Sequence, residues 1–262
     1  MIEKARRLIW GYLAVLLLML AVYKWQILPF PQQSYLLLLN INLIAASLLS
    51  CGVVFCAARV DRRWWLWFAT IFLLFVGEVA FFGLEFLFTD VGNDELQITL
   101  PTAIWLVARI VLLGVLARQL IFAPRQGGFG LSRTLLAALG FSAVVLFTAV
   151  GLVDPLLREF GSPVVVPAPL AFLFVNLAAF ALIALILSKG MPLAPRGNAF
   201  LFWPLIGFAL YLTADLFCFL DVIRHTDNFR LWEIGYFCGY LLPAQGALDA
   251  LSRADEIMVR SG

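Results

Sequence analysis

A chain of 262 residues that is 63% hydrophobic and 13% charged, with a mean hydropathy of +0.99, lies far from the roughly 45–50% apolar and roughly 25% charged composition of soluble domains. That excludes a water-soluble globular core and implies a polytopic, all-α membrane protein. A net charge of +2 says little in total, because the placement of basic residues along the loops is what sets orientation.

Apolar runs long enough to span a bilayer, about 20 residues each, are expected at Leu8–Ile27, Tyr35–Ala57, Trp64–Phe88, Thr102–Phe122, Leu131–Val153, Pro169–Ser188, Phe200–Val222 and Leu231–Ala250. The first follows Lys4, Arg6 and Arg7 as a secretory signal would. It runs on to about Tyr23 with no small-residue cleavage site after it, so it reads as a membrane helix. Turn chemistry separates the runs: Pro29 with Pro31, Asp61-Arg62-Arg63, Gly92 to Glu95, Pro124 to Gly128, Gly161-Ser162-Pro163, Pro192 to Asn198, and His225 to Asn228.

Thirteen basic residues fall on one side of these spans: Lys4, Arg6, Arg7, Arg59, Arg62, Arg63, Arg118, Arg125, Arg133, Lys189, Arg196, Arg253 and Arg260. Only Lys24, Arg158, Arg224 and Arg230 fall on the other, and Arg109 lies within a span. The positive-inside rule then puts both termini in the cytoplasm, which requires an even number of spans. Trp64, Trp65 and Trp67 on the basic side, with Trp105 and Trp232 on the other, are expected as an interfacial aromatic belt.

An internal repeat is visible at an offset of about 136 residues. Asn40 matches Asn176, Glu78 matches Asp215, Glu85 matches Asp221, Trp105 matches Trp232 and Arg7 matches Arg133. With four helices in each half, the copies are parallel repeats related by an axis along the membrane normal. The expected organisation is a first four-helix unit over residues 1–124, a cytoplasmic linker at 125–130, a second unit over 131–250 and a tail at 251–262. Small residues for close helix packing are expected at Gly140 with Gly151 and at Gly235 with Gly239.

Ionisable side chains in hydrocarbon are expensive and mark function or pairing. Glu78 and Glu85 are seven apart on one helical face, about two turns from each other. Arg109 sits at similar depth on the next helix, so an intramembrane ion pair of Arg109 with Glu78, beside Glu85, is expected. By the repeat, the position of Arg109 corresponds to Tyr236, and no cation answers Asp215. Its expected partners are Asn176, Tyr211, Thr213, Tyr236 and Tyr240, with Asp215 a neutral, hydrogen-bonding carboxyl in a helix-packing or ligand site. The outer turn from Asp221 to Glu233 reads as a solvated loop, or as a mouth whose charge follows His225.

Cys51, Cys56, Cys218 and Cys238 all lie in apolar runs without ligand spacing, and the chain has one histidine. No metal site and no cofactor are expected. No phosphate-binding loop or hydrolase motif is present, so no catalytic residue is assigned. Gly127-Gly128-Phe129-Gly130 follows a membrane helix and reads as the flexible link between the halves.

The last two helices carry a resemblance. Ala214-Asp215, Trp232, Gly235, Gly239 and Gly246-Ala247-Leu248 make this segment similar to the closing helix pair in the multi-spanning N-terminal membrane regions of bacterial diguanylate cyclases and related sensor kinases. The resemblance implies a sensory input module in a bacterial inner membrane, coupled through the last helix to a cytoplasmic output. The chain stops about a dozen residues after the last span, with no GGDEF, EAL or kinase segment. The output is then expected on another polypeptide, unless the sequence is part of a longer protein or the family is different. The expected function is a non-enzymatic membrane sensor or partner subunit, with the bilayer and a protein as partners and no nucleic acid. The alternatives are a small transporter or channel lined by Glu78, Arg109 and Asp215, and a membrane-embedded lipid-modifying enzyme.

Overall fold

The computed structural model is all-helical and describes residues 2–24, 32–86, 100–122, 131–155, 158, 167–188, 199–224 and 233–261. Eight long helices run in chain order: α1 (Ile2–Lys24), α2 (Gln32–Val60), α3 (Trp65–Phe81), α4 (Leu100–Phe122), α5 (Leu131–Thr148), α6 (Pro167–Ser188), α7 (Ala199–Arg224) and α8 (Glu233–Ser261). Two of them widen into π-turns at their ends, α3 over Phe82–Phe86 and α5 over Ala149–Val153. The link from α2 to α3 is a single helical turn, Arg62–Trp64, capped by Asp61, which accepts from the Arg63 backbone N–H at 3.0 Å and from its Nε at 2.8 Å. Partial burial would push the Asp61 carboxyl up, but the Arg63 hydrogen bonds and charge outweigh it and hold it below the usual carboxylate range.

Seven of these helices are long and apolar enough to cross a membrane, which makes the chain a multi-pass membrane protein by architecture. Their outward faces are those of a protein in lipid: Leu18, Ile121, Leu136 and Phe174 stand exposed. The eighth, α8, is less apolar, carrying Glu233, Gln245, Asp249 and Arg253 along with Gly235, Gly239 and Pro243. Every residue from Phe237 to Leu248 is nevertheless buried, because α8 packs against α1, α2 and α7. A helix sheathed in protein needs no lipophilic face, and its polar groups find partners within the bundle.

Close approach of α7 and α8 depends on glycine. A Cβ added at Gly239 would lie 2.8 Å from Tyr211 Cβ, one at Gly235 would lie 2.7 Å from Ala214 Cβ, and one at Gly207 would lie 2.9 Å from the Cys238 carbonyl oxygen. Gly140 does not share this role, since open space surrounds it, and Gly151 meets only Phe147 of its own helix. Small residues tighten helix packing only where another helix comes close, and neither position shows such an approach. On the far side of α8, the Ser50 hydroxyl of α2 donates to the Tyr240 carbonyl at 2.7 Å.

The tryptophans divide differently from a belt. Trp64 and Trp67 are fully buried, with Trp67 stacked on Phe208 at 5.6 Å and Trp64 edge-on to Phe200 at 5.2 Å, and Trp65 alone of the three is exposed. Positions 64 and 67 are one helical turn apart and share the face toward α7. Trp105 leans on Gly77 and on Phe81, whose ring is 5.4 Å away, closing α4 onto α3.

Candidate functional site

The buried charges gather near the end of the bundle away from the chain termini. Glu78 on α3, Arg109 on α4, Asn176 on α6 and Asp215 on α7 are each buried, as is Tyr240 on α8. Asp215 lies six residues before Asp221, about 9 Å along its helix, and the others are similarly inset. The apolar length of each helix thus holds the polar group inside the bundle.

Arg109 pairs with Asp215. Its Nη2 and Nε reach Asp215 Oδ2 at 2.5 and 3.0 Å, and both side chains are at most 6% exposed. This corrects the expected pair of Arg109 with Glu78 and the expectation that Asp215 has no cation. The expected pair assumed that neighbours in a hairpin supply each other's partners; the fold instead brings α7 to α4 from the other half of the chain. Asp215 also accepts from Asn176 Nδ2 at 3.1 Å and, on Oδ1, from the Tyr236 hydroxyl at 3.0 Å. It is an acceptor in all four of these bonds, not the donor anticipated.

Glu78 takes a different partner, accepting from the Tyr240 hydroxyl at 2.6 Å. Tyr240 therefore belongs to the cluster without bonding to Asp215. Tyr211 enters through a side-chain hydrogen bond with Tyr240 and through its ring, edge-on to Tyr236 at 4.9 Å and to Tyr240 at 5.9 Å, with the Arg109 guanidinium 5.2 Å from its centroid. Thr213, another expected partner, donates to the Ala209 carbonyl of its own helix at 2.8 Å. The Glu85 backbone lies in the π-turn after α3, while its side chain lies outside the described residues, as do Trp232, His225, Asp227 and Arg230.

Two contributors carried no sequence signal. Phe172 on α6 places its ring 4.5 Å from the Arg109 guanidinium, and the Trp105 carbonyl accepts from Arg109 Nη1 at 3.1 Å. A cation held between aromatic faces, a carboxylate and a carbonyl is well compensated for its burial. Among the described residues one acceptor of this cluster is left over: Asn176 is fully buried and its Oδ1 has no hydrogen-bond partner there. Its amide orientation follows from Nδ2 donating to Asp215.

A second polar cluster ties the two chain ends together. Asp249 of α8 pairs with Arg6 of α1 at 2.6 Å and accepts from Trp203 Nε1 of α7 at 2.9 Å and from Gln245 at 3.1 Å. Along α8, Tyr236 and Asp249 are about 20 Å apart. A single helix thus touches both clusters.

Among the described residues, no group of three or more His, Cys, Asp or Glu side chains could hold a metal ion. Comparison with protein-family models, with curated proteins and with solved structures finds no match.

Proposed function

We propose that the chain is a non-enzymatic signal-input module or membrane partner subunit of a bacterial inner membrane. In this reading it has eight spans in two tandem parallel four-helix units and cytoplasmic termini. The observation that carries the reading is α8 itself. Its first turns hydrogen-bond Asp215 and Glu78 through Tyr236 and Tyr240, and its middle is clamped to α1 and α7 through Asp249. A change at the charged cluster is a change in what holds α8, and α8 continues beyond the bundle to Ser261.

Pairing across the halves supports the duplication. Helix α2 packs on α8 and α4 packs on α6, and these two contacts exchange when the halves are exchanged. The carboxyls follow the same rule: Asp215 is met by α4 of the first half, and Glu78 by α8 of the second. Burial of α8 within protein explains how a helix of modest apolarity completes an even count of spans. The resemblance of the closing helices to sensor input regions points the same way.

A photo-crosslinker at Glu256, exposed on the last turns of α8, tests the proposal in native membranes. The reading expects one partner protein to be captured reproducibly, with its yield changed in Asp215→Asn. Recovery of the chain alone contradicts it. Three charged side chains in one cluster would also suit a transport path; ion or solute flux in proteoliposomes that is lost in Asp215→Asn would favour that second reading.

A further inference from the structure

Among the described side chains, the charged cluster holds one cation, Arg109, and two carboxyls, Glu78 and Asp215; the third buried carboxyl, Glu233, accepts from the Tyr35 hydroxyl of α2. Arg109 is committed to Asp215 at 2.5 Å, and Glu78 receives only the neutral Tyr240 hydroxyl among the described hydrogen bonds. Burying an uncompensated negative charge is costly, so the cluster with both carboxyls ionised lacks one positive charge. Independently, Asn176 Oδ1 is an acceptor in a fully buried position with nothing donating to it among the described residues. The same amide bonds Asp215 through Nδ2 at 3.1 Å, so the unanswered oxygen belongs to this cluster.

We infer that the cluster is a binding site for one monovalent cation, a proton or a sodium-sized ion, with Glu78 as the charge it neutralises and Asn176 Oδ1 as its spare acceptor. A single positive charge restores neutrality, whereas a divalent ion would overshoot it. The groups around Glu78 fit that role. Tyr240 faces it from α8, Arg109 from α4, and Asp215 with Tyr211 from α7. Helix α2, packed on α3, has Arg59 as its one charged residue, in its last turn at the other end. When the carboxyl is neutralised, its attraction for Arg109 falls, the Arg109–Asp215 pair tightens, and the hydrogen bond holding Tyr240 of α8 weakens. The inference rests on the reading of this cluster as the input site and names its ligand.

The test uses the full chain in nanodiscs, followed by thermal unfolding. Sodium is titrated against choline at constant ionic strength and pH, and pH is titrated separately in choline alone. In wild type, stability should rise by a few degrees over the titration that supplies the right cation, since a ligand of the folded state alone stabilises it. Dependence on sodium identifies the ion, and dependence on pH without a sodium effect identifies the proton. Glu78→Gln should fold without the cation and lose the dependence. Asn176→Leu, a second variant that keeps Glu78, should weaken apparent sodium affinity about tenfold or more or, in the proton case, move the pH midpoint. Wild type indifferent to both titrations, or Glu78→Gln and Asn176→Leu both responding like wild type, overturns the site. Hydrogen exchange at Asp249–Ser261 in the same samples separates the two claims: cation binding without change there keeps the site and removes the signalling role.

Discussion

Asp215 illustrates how far a single residue could be understood before its neighbours were known. Its depth in an apolar run and its distance from Asn176 were both legible, and Asn176 does donate to it at 3.1 Å. So was Tyr236 as a partner, because the repeat sets it in the place of Arg109 on the following helix. The partner of Arg109 is not legible, because sequence shows which residues share a helix face but not which helices from distant halves meet. The pair is now a matter of energy. Removing one member of a buried ion pair costs about 3–5 kcal/mol, while replacing both with apolar groups is often close to neutral. Arg109→Met and Asp215→Asn should each lower stability in denaturant unfolding by that amount. Arg109→Met combined with Asp215→Leu should lose markedly less than the two single losses together. Strict additivity would mean the two side chains do not depend on each other.

At the scale of the element, α8 is where the hydropathy pattern and the structure part company. Its start and its glycines at 235 and 239 are readable in the sequence; its end is not, since the helix runs on to Ser261 where the span is expected to stop at Ala250, and neither is its central place in the bundle. A helix that is polar by composition looks like a poor span until it is seen to be buried from Phe237 to Leu248, where its hydrogen-bonding groups meet protein. The buried Trp64 and Trp67 make the same point in reverse: tryptophans beside a basic loop suggest an interface, yet their shared face is covered by Phe200 and Phe208 of α7. The glycine contacts allow a direct check. In Gly239→Ala the new methyl would sit against the Tyr211 side chain, and overpacking of this kind costs about 1–3 kcal/mol. Thermal unfolding should register that loss, and Gly140→Ala, which faces open space, should leave stability unchanged or slightly improved through helix propensity.

Over the whole molecule, the all-helical, multi-pass class followed from composition alone. The tertiary partnerships did not, because apolar helices of similar hydropathy carry no local label for their neighbours. Those partnerships give the molecule two polar anchors joined by one buried helix. Near the charged cluster, Tyr236 and Tyr240 hold α8, while at the end shared by both termini Asp249 holds it to Arg6 and Trp203. Elsewhere apolar packing dominates, with a few hydrogen bonds such as Tyr35 to Glu233 and Ser50 to the Tyr240 carbonyl, and it transmits a shift of one helix because close-packed interiors do not deform continuously. Coupling between the anchors is therefore the central claim, and Tyr236→Phe with Tyr240→Phe tests it most directly. That double variant cuts α8 loose from both carboxyls while leaving the Arg109–Asp215 pair in place. Hydrogen exchange of the protein in nanodiscs should then be faster not only at Glu233–Tyr240 but also at Asp249–Ser261, about 20 Å away along the helix. Faster exchange confined to the first turns, with Asp249–Ser261 as slow as in wild type, would contradict it.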